Sequence, residues 1–320
     1  MKKNILVLTL ISLSVTLAAL FVGASFINPL RADSLSREIL FSIRLPRIAV
    51  SVLIGSSLGA SGAVLQGLLR NPLADPYILG ISSGAALFAS AGLMLGTAFL
   101  GPFTIPLMAF AGASLTAAVV GGMGWKKGVL WPDRLLLAGI GVGFLFTAVL
   151  MLIMTLSTNY GLRRTLLWIF GDLSMSDWSL VPTGAVLVAA GLIITLARAK
   201  GLNALSLGDD MAHSLGFSPS RERFLLFTSV SLMTATSVSL GGVVGFVGLL
   251  IPHIVRFAVG SDARVLVPLS AIAGAGLVVF ADMMGRTVMA PMEVPSGIIT
   301  AIIGAPYFLY LLRKKDVFGV

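Results

Sequence analysis

Few residues in this chain are of the types that do covalent chemistry. It has 320 residues and no cysteine. Disulfides, thiol nucleophiles and iron–sulfur ligation are therefore excluded. Gly80-Ile81-Ser82-Ser83-Gly84 has the spacing of a serine-hydrolase nucleophile elbow. That motif needs a preceding strand and acid and histidine partners. Here proline and apolar helix flank it, and His213 and His253 are the only histidines. His253, in LLIPHIVR, reads as a structural residue at a helix end. No G-x-x-x-x-G-K-[ST] loop is present to cradle a nucleotide phosphate, and no H-E-x-x-H. What remains is charge at a few places: Arg44 and Arg47 in FSIRLPRIAV, Asp282 and Arg286 at i, i+4, and Asp209-Asp210 in GLNALSLGDDMAHSLGFSPSRER, 201–223.

The elements that position them are membrane helices. The chain is 57% apolar and 11% charged, with mean hydropathy +1.01, whereas soluble domains carry about 25% charged residues. Apolar runs long enough to span a bilayer predict ten helices, near 4–27, 47–69, 78–100, 105–124, 134–156, 179–197, 224–241, 242–258, 265–284 and 296–312. The start reads as an uncleaved first helix, because its apolar run from Ile5 to Ile27 is about twice a signal-peptide core. The break between the seventh and eighth runs falls at Leu240-Gly241-Gly242.

Basic residues flank both ends, Lys2-Lys3 and Arg313-Lys314-Lys315. Both termini therefore read as cytoplasmic, which demands an even number of spans. With ten, 15 of the 22 Lys and Arg face inward. The exceptions are Arg31, Arg37, Arg44, Arg47, Arg163, Arg164 and Arg286. The net charge of +9 follows from the inner loops and does not call for nucleic acid.

The glycines fall in small-xxx-small patterns, Gly55 with Gly59, Gly139 with Gly143 and Gly241 with Gly245, which favour close helix approach. Asn71-Pro72, Asp75-Pro76, Pro252 and Pro306 interrupt the apolar runs, as a transport pathway permits. LGASGAVLQGLLRNP (58–72) echoes LGGVVGFVGLLIPH (240–253) five spans later, the offset of an inverted repeat.

In the 201–223 loop, Ser206 followed by Asp209 reads as a capping box, and Gly216 as the residue after a helix C-terminus. The segment 207–215 is then a short acidic helix with Leu207, Met211 and Leu215 in one stripe. An acidic helix suits a protein groove better than a bilayer surface. Ser218-Pro219 starts the next helix. In 157–178, Arg163, Arg164, Trp168, Asp172, Asp177 and Trp178 read as an interfacial anchor.

RLPR (44–47), GASGAVLQGLLRNPLADPYILGISSGA (59–85), LNALSLGDDMAHSLG (202–216), GFVGLLIPHIVR (245–256) and VPSGIITAIIGAPYFLYLLRK (294–314) together resemble the FecCD-type permeases. These are the transmembrane subunits of type II ABC importers for iron chelates, haem and cobalamin, and the resemblance covers nearly the whole chain in order. It implies one all-α polytopic permease domain, 1–320, with ten helices and inverted-repeat halves (about 1–200 and 224–320) joined by the loop 201–223. It implies a homodimer in the bacterial inner membrane, two ATP-binding subunits that hold ATP and Mg²⁺, and a periplasmic or lipid-anchored binding protein. No cofactor or catalytic residue is implied in the chain itself. By motif, Arg44, Arg47 and Arg286 would dock the binding protein. Leu205, Ser206, Leu207, Gly208, Asp209, Asp210, Met211, Ala212, His213, Ser214, Leu215 and Gly216 would form the coupling helix. Asn71 and Leu73 would belong to the cytoplasmic gate, together with Pro132 and Asp133. Pro132 and Asp133 depart from the small hydroxyl residues of the cobalamin permease. The implied cargo is a ferric siderophore first, then a corrinoid, then haem. The alternative from another class is an ion-coupled secondary transporter, which calls for carboxylates buried in mid-span. Most of the 13 carboxylates fall instead in loops or near span ends.

Overall fold

The computed structural model describes residues 2–23, 33–94, 100–156 and 159–313. Arg31, Lys314 and Lys315, counted above toward the charge bias, lie outside these residues. The described chain is helical apart from one two-stranded hairpin. Its elements are α1 (Lys2–Phe21), α2 (Ser34–Glu38), α3 (Leu45–Leu68), α4 (Ile81–Met94), α5 (Thr104–Gly124), β1 (Trp125–Lys126), β2 (Val129–Leu130), α6 (Pro132–Thr155), α7 (Asn159–Ile169), α8 (Leu180–Ala197), α9 (Ala199–Ser206), α10 (Asp209–Ser214), α11 (Pro219–Gly241), α12 (Val247–Val259), α13 (Ala263–Gly285) and α14 (Ser296–Arg313). Each of the ten predicted runs overlaps one of these helices, and positions 24–27 of the first and 95–99 of the third lie outside the described residues.

Among the described residues, seven helical stretches are long and apolar enough to cross a membrane, and Ile81–Met94, Val247–Val259 and Ser296–Tyr310 are shorter apolar helices. A helix of 13 or 14 residues, such as α12 or α4, extends only about 20 Å. Irregular backbone precedes both, at 69–80 (with a 3₁₀ turn at Pro76–Leu79) and at 242–246. Such backbone must find partners inside the protein. Asp75 accepts a hydrogen bond from the Tyr77 amide, and the Tyr77 hydroxyl accepts one from the Val244 amide at 3.2 Å. The two irregular segments thus satisfy each other.

The core is organised around α3, whose Val50, Ile54, Leu58, Val64 and Leu65 are buried. Its small residues admit other backbones directly. A methyl group at Gly55 would overlap the Gly274 carbonyl of α13, one at Gly59 the Ser270 carbonyl, and one at Gly62 the backbone of Gly248 in α12. Gly139 of α6 packs in the same way on Ile78 and Leu79 of the irregular segment. Around this centre, α1, α6 and α8 expose large apolar side chains such as Leu13, Phe144 and Ile193, as surfaces facing lipid or another subunit do.

Pro46 lies in the first turn of α3 without beginning the helical run. Helical backbone runs from Ser34 to Leu68 through a π-helical turn at Ile39–Arg44, where the Leu45 amide donates to the Leu40 carbonyl. Proline has no amide to donate, and a wider turn passes it without breaking the helix. The echoed segments also differ in backbone. The first closes its Gly-Leu-Leu at the end of α3, while the second crosses the interruption between α11 and α12 and places its Gly-Leu-Leu in the first turn of α12. Finally, the break between α11 and α12 is real. Gly242 has φ 73° and Phe246 φ 66°, so two separate helices form.

The packing predicts that Gly59→Leu strongly destabilises or misfolds the chain, because the obstacle is a carbonyl that cannot move aside. Gly141→Ala, with open space around it, should be neutral or stabilising by up to about 1 kcal/mol. Thermal unfolding of the detergent-purified variants checks both.

Candidate functional site

Interacting charges gather at two opposite ends of the bundle. At the first end, Arg44, Arg47 and Arg286 do come together, although 242 positions separate the first from the last. The Arg47 guanidinium donates to Asp282 Oδ1 at 2.6 Å and to Glu293 Oε2 at 2.7 Å. Arg286 pairs with Asp282 Oδ2 at 3.0 Å, as its i, i+4 spacing on α13 predicts. Arg44 donates to the Leu20 carbonyl at 2.9 Å and Arg286 to the Ala19 carbonyl at 3.4 Å. Those carbonyls belong to the last turn of α1, where a helix has acceptors without intrahelical donors and a negative dipole end. One cluster therefore caps α1 and ties it to α3 and α13.

In the single chain these three side chains are buried. Arg44 is 3% exposed, and Arg47 and Arg286 are each 5% exposed. The reason is local: the π-helical turn and α13 aim these side chains into the bundle, where carbonyls and two carboxylates meet them. Glu293, whose side chain is 40% exposed, was missed. It lies 246 positions from its partner, and no local pattern marks it. Nearby, Trp168 is buried and not interfacial, while Trp178 is exposed and donates to the Phe41 carbonyl. Asp172 and Asp177 organise turns through Ser174 and Ser179.

At the opposite end, α9 and α10 lie against the ends of α3, α11 and α13. Leu202 of α9 fills the space over Gly67 of α3, and Gly201 sits against Glu222 of α11. Arg198 reaches Glu222 at 3.4 Å. Asn203 donates to Asp262, the N-cap of α13. Hydrogen bonds from Arg264, then Asn203, hold the Asp262 carboxyl well below the usual carboxylate range.

The short helix begins two residues later than predicted. Ser206 ends α9 and donates to the Asn203 carbonyl, so it caps nothing in α10. Gly208 is the N-cap, at φ 117° and ψ 163°, a conformation that only glycine adopts freely. The C-terminus closes as read: Gly216 has φ 83°, its amide donates to His213, and the Phe217 amide donates to Ala212. That is the paired bonding of a Schellman motif. Asp209, in the first turn, accepts from Arg223 and lies 3.7 Å from Arg70. It clamps α10 to α11 and α3. Leu205 and Ala212 are buried, whereas Leu207, Met211 and Leu215 are 68%, 50% and 56% exposed. The predicted stripe faces outward on a helix held rigidly from behind.

The sequence model of the FecCD transport family matches residues 5–314. The chain belongs to the FecCD transport family. Among relatives, this FecCD permease is 43% identical over 282 residues to the cobalamin import system permease protein BtuC of Halobacterium salinarum, covering 88% of this chain and 75% of that one. It is 37% identical over 288 residues to the hemin transport system permease protein HmuU of Yersinia pestis, covering 87% and 84%. It is also 37% identical over 284 residues to the iron(3+)-hydroxamate import system permease protein FhuG of Bacillus subtilis, covering 87% and 84%. A solved metal-chelate-type ABC transporter in an inward-facing conformation superposes with TM-score 0.89 at 30% identity, over 98% of this chain and all of that one.

The residues expected at a cytoplasmic gate do not all meet in this FecCD permease. Asn71 folds back to accept from the Leu73 amide at 2.9 Å. Pro72 and Leu73 close a small cavity with Leu249, Leu250, His253, Tyr307 and Phe308. His253 is buried there, edge-on to Phe257 at 4.9 Å. Pro132 and Asp133 open α6 beside the hairpin and take no part in that cavity. The Ser82 motif lies in the first turn of α4, after a 3₁₀ turn and not a strand, so it is no nucleophile elbow.

Asp282→Asn should leave two buried guanidinium groups short of charge and cost about 3–5 kcal/mol, as breaking a buried pair does. Glu293→Gln removes a partly exposed partner and should cost about 0–1 kcal/mol. Unfolding of the two variants in parallel checks the ranking.

Proposed function

We propose that this FecCD permease is the membrane-spanning subunit of an ABC importer for a metal chelate in the bacterial inner membrane. Two copies would work with two ATP-binding subunits, which hold ATP and Mg²⁺, and with a binding protein on the outer side. The observation that carries this is the exposed apolar trio of Leu207, Met211 and Leu215 on and flanking the clamped helix α10. A short helix that is apolar outward and anchored by Asp209 inward is suited to seat in a partner's groove and pass its movement on to α3 and α11. The permease then needs no nucleotide site of its own. Relatives named for cobalamin, hemin and iron(3+)-hydroxamate support a metal chelate as the cargo class. A ferric siderophore is the first choice, then a corrinoid, then haem.

The burial of Arg44, Arg47 and Arg286 reshapes the docking part of the proposal. Their cluster holds the outer ends of α1, α3 and α13 in place, and a binding-protein carboxylate reaches Arg47 only by displacing Glu293. Reversing Arg44 and Arg47 to Glu therefore disturbs folding before it reports on docking.

Met211→Asp combined with Leu215→Asp should leave thermal unfolding unchanged, because both side chains are exposed. The same pair should abolish co-purification of the ATP-binding subunit and ATP-dependent chelate uptake. Retained co-purification would reject the coupling role of α10. Gradient-driven uptake by the chain without an ATPase would overturn the proposal as a whole.

A further inference from the structure

The hairpin β1–β2 and the groove beside it have no part in the proposed transport scheme. The groove, about 350 Å³, runs between α5 and α11 and is lined by Ala117, Ala118, Gly121, Gly122, Phe224 and Phe227. It extends over about 8 Å of α5, from Ala117 to Gly122, and on to Trp125 of β1. Its mouth is marked by Trp125, which meets Phe224 edge-on at 5.7 Å. Both rings are exposed, as is Trp131. Exposed tryptophans on a membrane protein mark the headgroup level of the bilayer.

The cations at this mouth are held together by the fold. Ser220, at the start of α11, donates to the Gly128 carbonyl in the hairpin turn. That bond ties the hairpin carrying the exposed Lys126 and Lys127 to the start of α11, which carries the exposed Arg221 one turn from Phe224. Residues 121–131 contain no acid, and Glu222 is buried and turned to Arg198. An apolar slot that opens under three cations matches one class of ligand, an anionic phospholipid. We infer that the α5–α11 groove binds an acyl chain of such a lipid, with its phosphate held by Lys126, Lys127 and Arg221. Basic pockets between membrane helices on the cytoplasmic side recognise anionic headgroups in this way.

The full chain, purified with whatever subunits accompany it, is placed in nanodiscs of phosphatidylcholine doped with brominated phosphatidylglycerol or brominated phosphatidylcholine. Tryptophan quenching is then read, and Trp125→Phe assigns the groove signal. Brominated phosphatidylglycerol should quench Trp125 at a several-fold lower mole fraction than brominated phosphatidylcholine, and 1 M salt should narrow the gap. Lys126→Gln/Lys127→Gln/Arg221→Gln should abolish the preference. Gly122→Leu, which fills the groove where a side chain meets no neighbour, should reduce quenching by both lipids. Soluble glycerophosphate should not compete, since it lacks the chain. Equal quenching by the two lipids, a preference that survives the triple substitution, or its loss when an ATP-binding subunit is bound would each overturn the assignment.

Discussion

Helix α3 meets its neighbours backbone to backbone, and the rest of the molecule depends on that contact. In a bilayer, lipid tails are as apolar as leucine, so burying side chains drives helices together only weakly. Close approach is what remains, and it requires positions without side chains. Gly55, Gly59 and Gly62 supply them on α3, opposite Gly274, Ser270 and Gly248. The row puts α12 and α13 at fixed heights along α3. Everything at the two ends of the bundle inherits that register.

At one end the register places Asp282 of α13 beside Arg47 of α3. A carboxylate and guanidinium groups buried together hold only when each is answered, and the orphan carbonyls of α1 complete the set. At the other end the same register brings Gly67 under Leu202 and Arg70 toward Asp209. The two charged ends share a helix without touching each other. A force applied to α10 therefore meets α3 and α11 directly, a mechanical arrangement suited to a subunit that receives its energy from outside. Irregular backbone precedes both α4 and α12, and the hydrogen bond from the Val244 amide to the Tyr77 hydroxyl links the two segments.

Much of this was legible in the chain. Composition gave the membrane class, and apolar runs placed all ten long or short bundle helices. The glycine spacing at Gly55 and Gly59 announced a close contact, though not its partner. Leu207, Met211 and Leu215 could be read as a stripe, since helical periodicity is local. The less legible features share one trait, dependence on long-range neighbours. Ser206 looked like a cap because the tie that ends α9, and the glycine that opens α10, are set by packing onto α3 and α11.

Sequence alone determined the helices, their apolar character, the family and the apolar spacing of Leu207, Met211 and Leu215, because each rests on periodicity or on motifs that span few residues. Only the tertiary structure decided what the arginines of RLPR do. Their type and spacing are those of exposed docking cations. Their actual partners, Asp282, Glu293 and the end of α1, stand 24 to 246 positions away. Whether a charge is offered to a partner or consumed inside the bundle depends on the groups that packing brings within about 3 Å of it, and no local pattern encodes that distance.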